Sequence, residues 1–154
     1  MNADPPSVEV RNLVRLEFRS HLDMLDFVQV VGDELGRLVG LDDDSLHWVG
    51  VAVQEAVVNA IKHGNRRVEE KLVTVEFGLV PAIAPRQLRV RVVDQGEGFD
   101  PVEVADPLAP ENLLSSSGRG LFFMRNFMDD VILRRCPTGG MEVVMVTKAG
   151  GVGA

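Results

Sequence analysis

Cysteine is nearly absent from this chain, which has one, Cys136, in 154 residues. A single cysteine excludes an intramolecular disulfide and fits a reducing compartment. It falls at the end of a predicted strand, where it reads as a packing residue rather than a nucleophile. Long apolar runs are missing as well. None approaches the roughly 18 residues that a membrane span needs. The opening MNADPPSV has neither a basic n-region nor an apolar h-region, so a secretory signal is not expected and a cytoplasmic location is. Positive charge is in deficit, with 16 Lys and Arg against 23 Asp and Glu and a net charge of -7. That balance argues against broad nucleic-acid binding, which needs a basic face. It suits a basic protein partner. Neither a Walker-type phosphate loop nor a DNA-binding motif occurs. His21 and His47 have no metal-ligand spacing to Cys or carboxylates and read as structural.

What is present is ordinary for a soluble globular domain: 45% hydrophobic and 25% charged residues. The length suits one domain with a core that needs no metal or disulfide. Residues 8–148 are expected to form it, with disordered tails at 1–7 and 149–154. An opening strand is predicted over 8–19. Leu22, Leu25, Val28, Val31, Leu35 and Leu38 then recur at helical steps, and Gly40 ends that helix. Two strands follow at 72–79 and 88–93, joined by PAIAPR. Residues 101–117, with three prolines and three serines in a row, read as a mobile lid. A short helix over 118–128 leads to strands at 131–136 and 141–147, hinged at Thr138, Gly139 and Gly140. The expected fold is a two-layer α/β sandwich, with helices on one face of a mixed, largely antiparallel sheet.

The chain is organised around WVGVAVQEAVVNAIKHGN, from residue 48 to 65. Val49, Ala52, Val53, Ala56, Val57, Ala60 and Ile61 have amphipathic helical spacing. Glu55, Asn59 and His63 interrupt it at steps of four, which stacks side chains on one helix face. A carboxylate and an amide on so apolar a helix are costly unless something compensates them. A solvated surface stripe is the alternative. The acidic run Asp42, Asp43 and Asp44 is expected to cap this helix.

Two later motifs weigh against the plain surface stripe. Asp94, Gly96 and Gly98 follow directly on a predicted strand. An aspartate there offers an acceptor-only group to the exocyclic amine of adenine and disfavours guanine, which carries a carbonyl at that position. The glycines allow close approach and positive φ, although Asp and Gly also make plain turns. Gly118, Arg119 and Gly120 then open a helix, whose free N–H groups favour phosphate, and the Arg119 guanidinium suits phosphate oxygens.

In this order the three motifs resemble the nucleotide site of the GHKL (Bergerat-fold) ATPase superfamily, which includes gyrase, histidine kinases and MutL. The stand-alone size and brief second glycine box are similar to its branch of anti-sigma-factor serine/threonine kinases. The resemblance covers about residues 10–148. It implies that ATP and Mg²⁺ are the cofactors, with Asn59 as metal ligand and Glu55 as general base. It further implies that Lys62 and His63 lie near the phosphates, though His63 could equally cap the helix end. It also implies binding to an anti-anti-sigma antagonist, which is phosphorylated, and to a sigma factor, which is sequestered; a homodimer is compatible with it. A nucleotide-gated sequestering module without transfer activity, and a stand-alone ATP-binding partner of a histidine-kinase system, share the same motifs. A phosphoacceptor-histidine hairpin before the domain and a transducer domain after it are not expected.

Overall fold

The computed structural model describes residues 11–81, 85–98 and 124–150. In chain order it has β1 (Arg11–Arg19), a 3-10 turn (Leu22–Met24), α1 (Leu25–Val39) and α2 (Asp43–Asn59). A π-helical turn (Ala60–Gly64) follows, then β2 (Leu72–Val80), β3 (Gln87–Val93), β4 (Asp130–Arg135) and β5 (Met141–Lys148). The strands form one sheet in the order β1-β2-β3-β5-β4. Every neighbouring pair is antiparallel, so the sheet expected to be mixed has no parallel pair among the described residues. Short connections account for two of the pairs: β2 turns back into β3, and β4 into β5, without the crossover that a parallel pair requires.

Alternation along β2 and β3 decides which face is covered. Val73, Val75, Phe77 and Leu79 of β2 and Leu88, Val90 and Val92 of β3 are buried. They form one core with Val28 of α1 and with Val49, Ala52, Val53, Ala56 and Val57 of α2. A fully buried side chain of this size contributes about 1.5–3 kcal/mol relative to its exposed state. The two helices therefore lie against the central strands.

Local sequence sets the helix ends. Gly40 sits in the left-handed region at φ 95°, and its N–H donates to the Arg37 carbonyl. The next amide, Leu41, donates to the Gly36 carbonyl at 3.0 Å. These two bonds satisfy carbonyls that the end of α1 would otherwise leave open. Asp42 begins α2, its Oδ1 accepting from the Ser45 amide at 2.7 Å. That bond holds the exposed Asp42 carboxyl below its usual pKa. The expected capping role of the acidic run thus falls to Asp42, while Asp43 and Asp44 occupy the first turn. The first helix, expected from Leu22, begins instead with the 3-10 turn; His21 Nδ1 lies 3.4 Å from the Asp23 amide at its start.

The far face of the sheet carries an ion network. Arg91 donates to Glu76 at 2.9 Å and to Glu142 at 2.5 Å. Arg134 donates to the second oxygen of Glu142. Burial alone would raise the Glu142 carboxyl, but its hydrogen bonds from Arg91 and Arg134 outweigh burial and lower it. Cys136 is buried beyond the end of β4, with Sγ 3.3 Å from Thr138 Oγ1. The segment 101–117, expected to be a lid, lies outside the described residues. So does the start of the helix expected over 118–128. Residues 124–127 of that helix are helical. Met124 and Met128 are buried, and Phe127 stacks on Trp48 with ring centroids 4.1 Å apart.

Candidate functional site

The site grows from the end of α2. Glu55 and Asn59 lie one turn apart and are both half-buried on a helix whose neighbouring side chains are core. Among the described residues neither side chain has a hydrogen-bond partner. Neither carries a buried polar atom without a partner, so water can serve both, and the pair is open to a ligand. After Asn59 the helix widens into the π turn over Ala60–Gly64, closed by the Asn65 amide donating to the Ala60 carbonyl at 2.7 Å. Such a widening is frequent at functional sites. An α-helix drifts by about 80° over eight residues, and the wider turn opposes that drift between Glu55 and His63. Lys62 is half-buried in this turn and His63 is exposed.

Asp94 follows the last residue of β3 and is buried, at 7% exposure. Its Oδ1 accepts two backbone amides, Gly96 at 2.9 Å and Met141 at 3.1 Å. The Asp94 amide in turn donates to the Met141 carbonyl at 3.0 Å, so the aspartate is pinned to the first residue of β5. The remaining oxygen, Oδ2, faces Gly64. A Cβ on Gly64 would overlap Oδ2 and would stand 2.9 Å from Asp94 Cβ. Burial raises the Asp94 carboxyl above its ordinary value, opposed by the two amide bonds and by the charge of Lys71. The result is a buried acceptor with one oxygen committed to the backbone and the other turned toward a glycine.

Three glycines make room for this arrangement. Gly64 clears Oδ2. A side chain on Gly96 would collide with the Gly64 carbonyl, and one on Gly140 with the Asp94 carbonyl. The two glycines of the aspartate motif divide close approach and positive φ between them. Gly96 serves close approach and lacks a positive φ, whereas Gly98, at φ 76°, packs toward Arg135 and Gly140. Gly118, Arg119 and Gly120 lie outside the described residues. The structure thus brings the end of α2 with its π turn and the Asp94 loop to one place, through Gly64.

Sequence reasoning missed the residues that hold this junction. Asn65 is fully buried. Its Nδ2 donates to Ser20 Oγ at 2.8 Å and to the Leu72 carbonyl at 3.0 Å. Its Oδ1 accepts from the Gln95 amide at 2.7 Å. Gln95 Oε1 accepts from the Leu72 amide at 2.7 Å. The Asn beside Gly64 was the available signal, since a polar side chain at the end of a buried helix needs partners.

A family model described as a histidine kinase-like ATPase domain matches residues 18–147. The chain belongs to that family. An anti-sigma F factor of Clostridium beijerinckii is 31% identical over 139 residues, covering 89% of this chain and 94% of the relative. The serine-protein kinase RsbW of Listeria monocytogenes is 31% identical over 125 residues, 72% of this chain and 76% of the relative. The RsbW of Bacillus velezensis is 26% identical over 138 residues, 86% of this chain and 82% of the relative. Among solved structures, a Mycobacterium tuberculosis protein with RsbU and RsbW domains superposes with a TM-score of 0.60. At 16% identity, covering 88% of this chain and 32% of that one, it shows the fold alone.

Membership of an ATPase family makes ATP the nucleotide of this domain, and the chain's own residues fit it. Gly64 packs so closely on Asp94 Oδ2 that an added Cβ would overlap it. A carboxylate there can only accept, which suits an amine edge. Among the described residues no cluster of His, Cys, Asp and Glu could hold a metal ion alone. A Mg²⁺ at Asn59 would take phosphate oxygens and water for the rest of its shell, as that ion commonly does. No helix of the described residues is long and apolar enough to cross a membrane.

Proposed function

We propose that this chain is an ATP-dependent serine/threonine protein kinase that phosphorylates an anti-anti-sigma antagonist and sequesters a sigma factor. The observation that carries the reading is the pairing, on adjoining elements, of the buried carboxylate of Asp94 with two polar groups, Glu55 and Asn59, one helical turn apart and without side-chain partners among the described residues. Asp94 binds the base through Oδ2. The Asn59 amide oxygen is a hard, neutral donor suited to Mg²⁺, which when bound neutralises charge on the transferring phosphoryl group. Glu55, one turn earlier on α2, takes the proton of a serine or threonine hydroxyl on the partner. That oxygen bonds to the γ-phosphorus as the bond from phosphorus to the leaving oxygen breaks, and ADP departs. Lys62 lies on the next turn and adds positive charge on the phosphate side.

The relatives named anti-sigma F factor and serine-protein kinase RsbW support both halves of this function. With a sigma factor as the target, the proposed setting is the cytoplasm. The carboxylate at Glu55 favours transfer over mere sequestration, because holding a partner needs no base. The test is incubation with γ-labelled ATP, Mg²⁺ and a purified antagonist domain. Label on a serine or threonine of the antagonist is expected. Binding of ATP and partner without transfer would leave a nucleotide-gated sequestering module instead.

A further inference from the structure

The Asn65 network does more than fill a polar hole in the core. Its amide reaches both sides of the candidate adenine contact. Asn65 directly follows Gly64, the residue that clears Asp94 Oδ2, and it binds the amide of Gln95, the residue directly after Asp94. The other half of the amide is anchored on the sheet, at Ser20 beyond β1 and Leu72 in β2. Ser20 Oγ itself donates to the Lys71 carbonyl at 2.7 Å. Gln95 adds a second tie, its side chain accepting from the Leu72 amide. Both donors and the acceptor of the Asn65 side chain are used, at zero exposure. A residue so placed sets the spacing between Gly64 and Asp94.

We propose that Asn65 is a positioning residue for nucleobase discrimination: with Gln95, it clamps the Asp94 loop against the π turn, so that Oδ2 meets an amine and rejects a carbonyl. Discrimination between amine and carbonyl is a matter of fixed geometry. A carboxylate held in place leaves a guanine carbonyl facing a like partner, whereas a loosened one swings away or admits water. Asn65 touches neither base nor phosphate in this account. Its loss should therefore fall on selectivity for the base more than on affinity for the triphosphate. The inference rests on the reading of Asp94 as the adenine contact.

The experiment compares the full-length parent with Asn65→Ala, Gln95→Ala and Val28→Ala, the last a core change in α1 chosen to lower the melting temperature without touching the loop. Two quantities are read: exchange of the Gln95 amide in nucleotide-free protein, and the ratio of Mg-ATP to Mg-GTP affinity by calorimetry. In Asn65→Ala the Gln95 amide should exchange at least tenfold faster, and the affinity ratio should fall about tenfold, the scale of one lost buried hydrogen bond. Val28→Ala should leave both quantities at parental values. Gln95 is exposed and its substitution is safe for the fold, so Gln95→Ala carries the test if Asn65→Ala does not fold; a fall of about threefold is expected there. A parent that prefers ATP, with an unchanged ratio in the folded variant, overturns the positioning role alone. A parent that binds ATP and GTP equally overturns the adenine contact itself, and the positioning role with it.

Discussion

Replacing Asp94 with Asn should separate stability from nucleotide binding, and the two should move in opposite directions. Asp94 is buried, and burial raises its carboxyl above the ordinary value despite amide bonds from Gly96 and Met141. A carboxyl whose folded pKa exceeds its unfolded value favours folding when protonated. Its contribution therefore declines as pH rises from the ordinary aspartate pKa, near 3.9, through the raised folded value, and above that the full cost is present. At neutral pH the parent folds with that cost. Asparagine keeps an oxygen to accept the two amides and carries no charge, so the nucleotide-free variant should melt no lower than the parent. Its amine, however, would face a donor edge of adenine. Losing a charge-assisted hydrogen bond is worth roughly 1.5–3 kcal/mol, or about a 10- to 150-fold loss of ATP affinity. Calorimetric titration with Mg-ATP and melting curves without nucleotide measure the two effects. An Asn variant that binds ATP as tightly as the parent refutes the role given to Asp94. A large drop in melting temperature without nucleotide refutes the electrostatic argument.

Gly64→Ala places a methyl onto Asp94 Oδ2, in contact with a group the backbone already pins; ATP affinity should fall at least tenfold, with about 1–3 kcal/mol of destabilisation from overpacking, both readable in one nucleotide-dependent melting series. Glu142→Gln weakens the ion network with Arg91 and Arg134. Because the Glu142 pKa is lowered in the fold, its contribution is present above the ordinary glutamate pKa and is lost as pH falls through the lowered value. The parent and this variant should thus differ by roughly 1–3 kcal/mol in urea unfolding at pH 7 and converge in acid.

The helices and strands were legible because each has a strong period. The alternation of Val73, Val75 and Phe77 and the helical spacing from Val49 to Ile61 both survive in the burial pattern. Short connections made an antiparallel sheet readable too. The aspartate at a strand end was legible for the same reason: a hydrophobic run stops at Val93 and polar residues begin. What stayed hidden depends on contacts between distant segments. Nothing in the neighbourhood of Asn65 says that its partners will be Ser20, Leu72 and Gln95, up to 45 residues away. Gly64 was readable as a helix stop but not as the gap that admits Asp94, since that requires knowing where β3 ends in space. Gly140, read as part of a hinge, clears the backbone of Asp94 by the same logic. The π turn was equally invisible, because AIKHG continues an apolar helical pattern and the wider turn shows in backbone bonds such as that from Asn65 to Ala60.

The most direct test of the account is phosphoryl transfer from γ-labelled Mg-ATP to a purified antagonist domain, measured for the parent and Glu55→Gln beside their ATP affinities. Glutamine keeps the size and hydrogen bonding of Glu55 and removes its basicity. General base catalysis is worth about 10²- to 10⁴-fold, so transfer should fall by that factor while ATP affinity stays near parental. Asn59→Ala, run in the same assay, should lower affinity and transfer together. A Glu55→Gln variant that transfers as fast as the parent would contradict the assignment of Glu55 as the base, and a parent that binds ATP and partner yet transfers nothing would contradict the kinase itself.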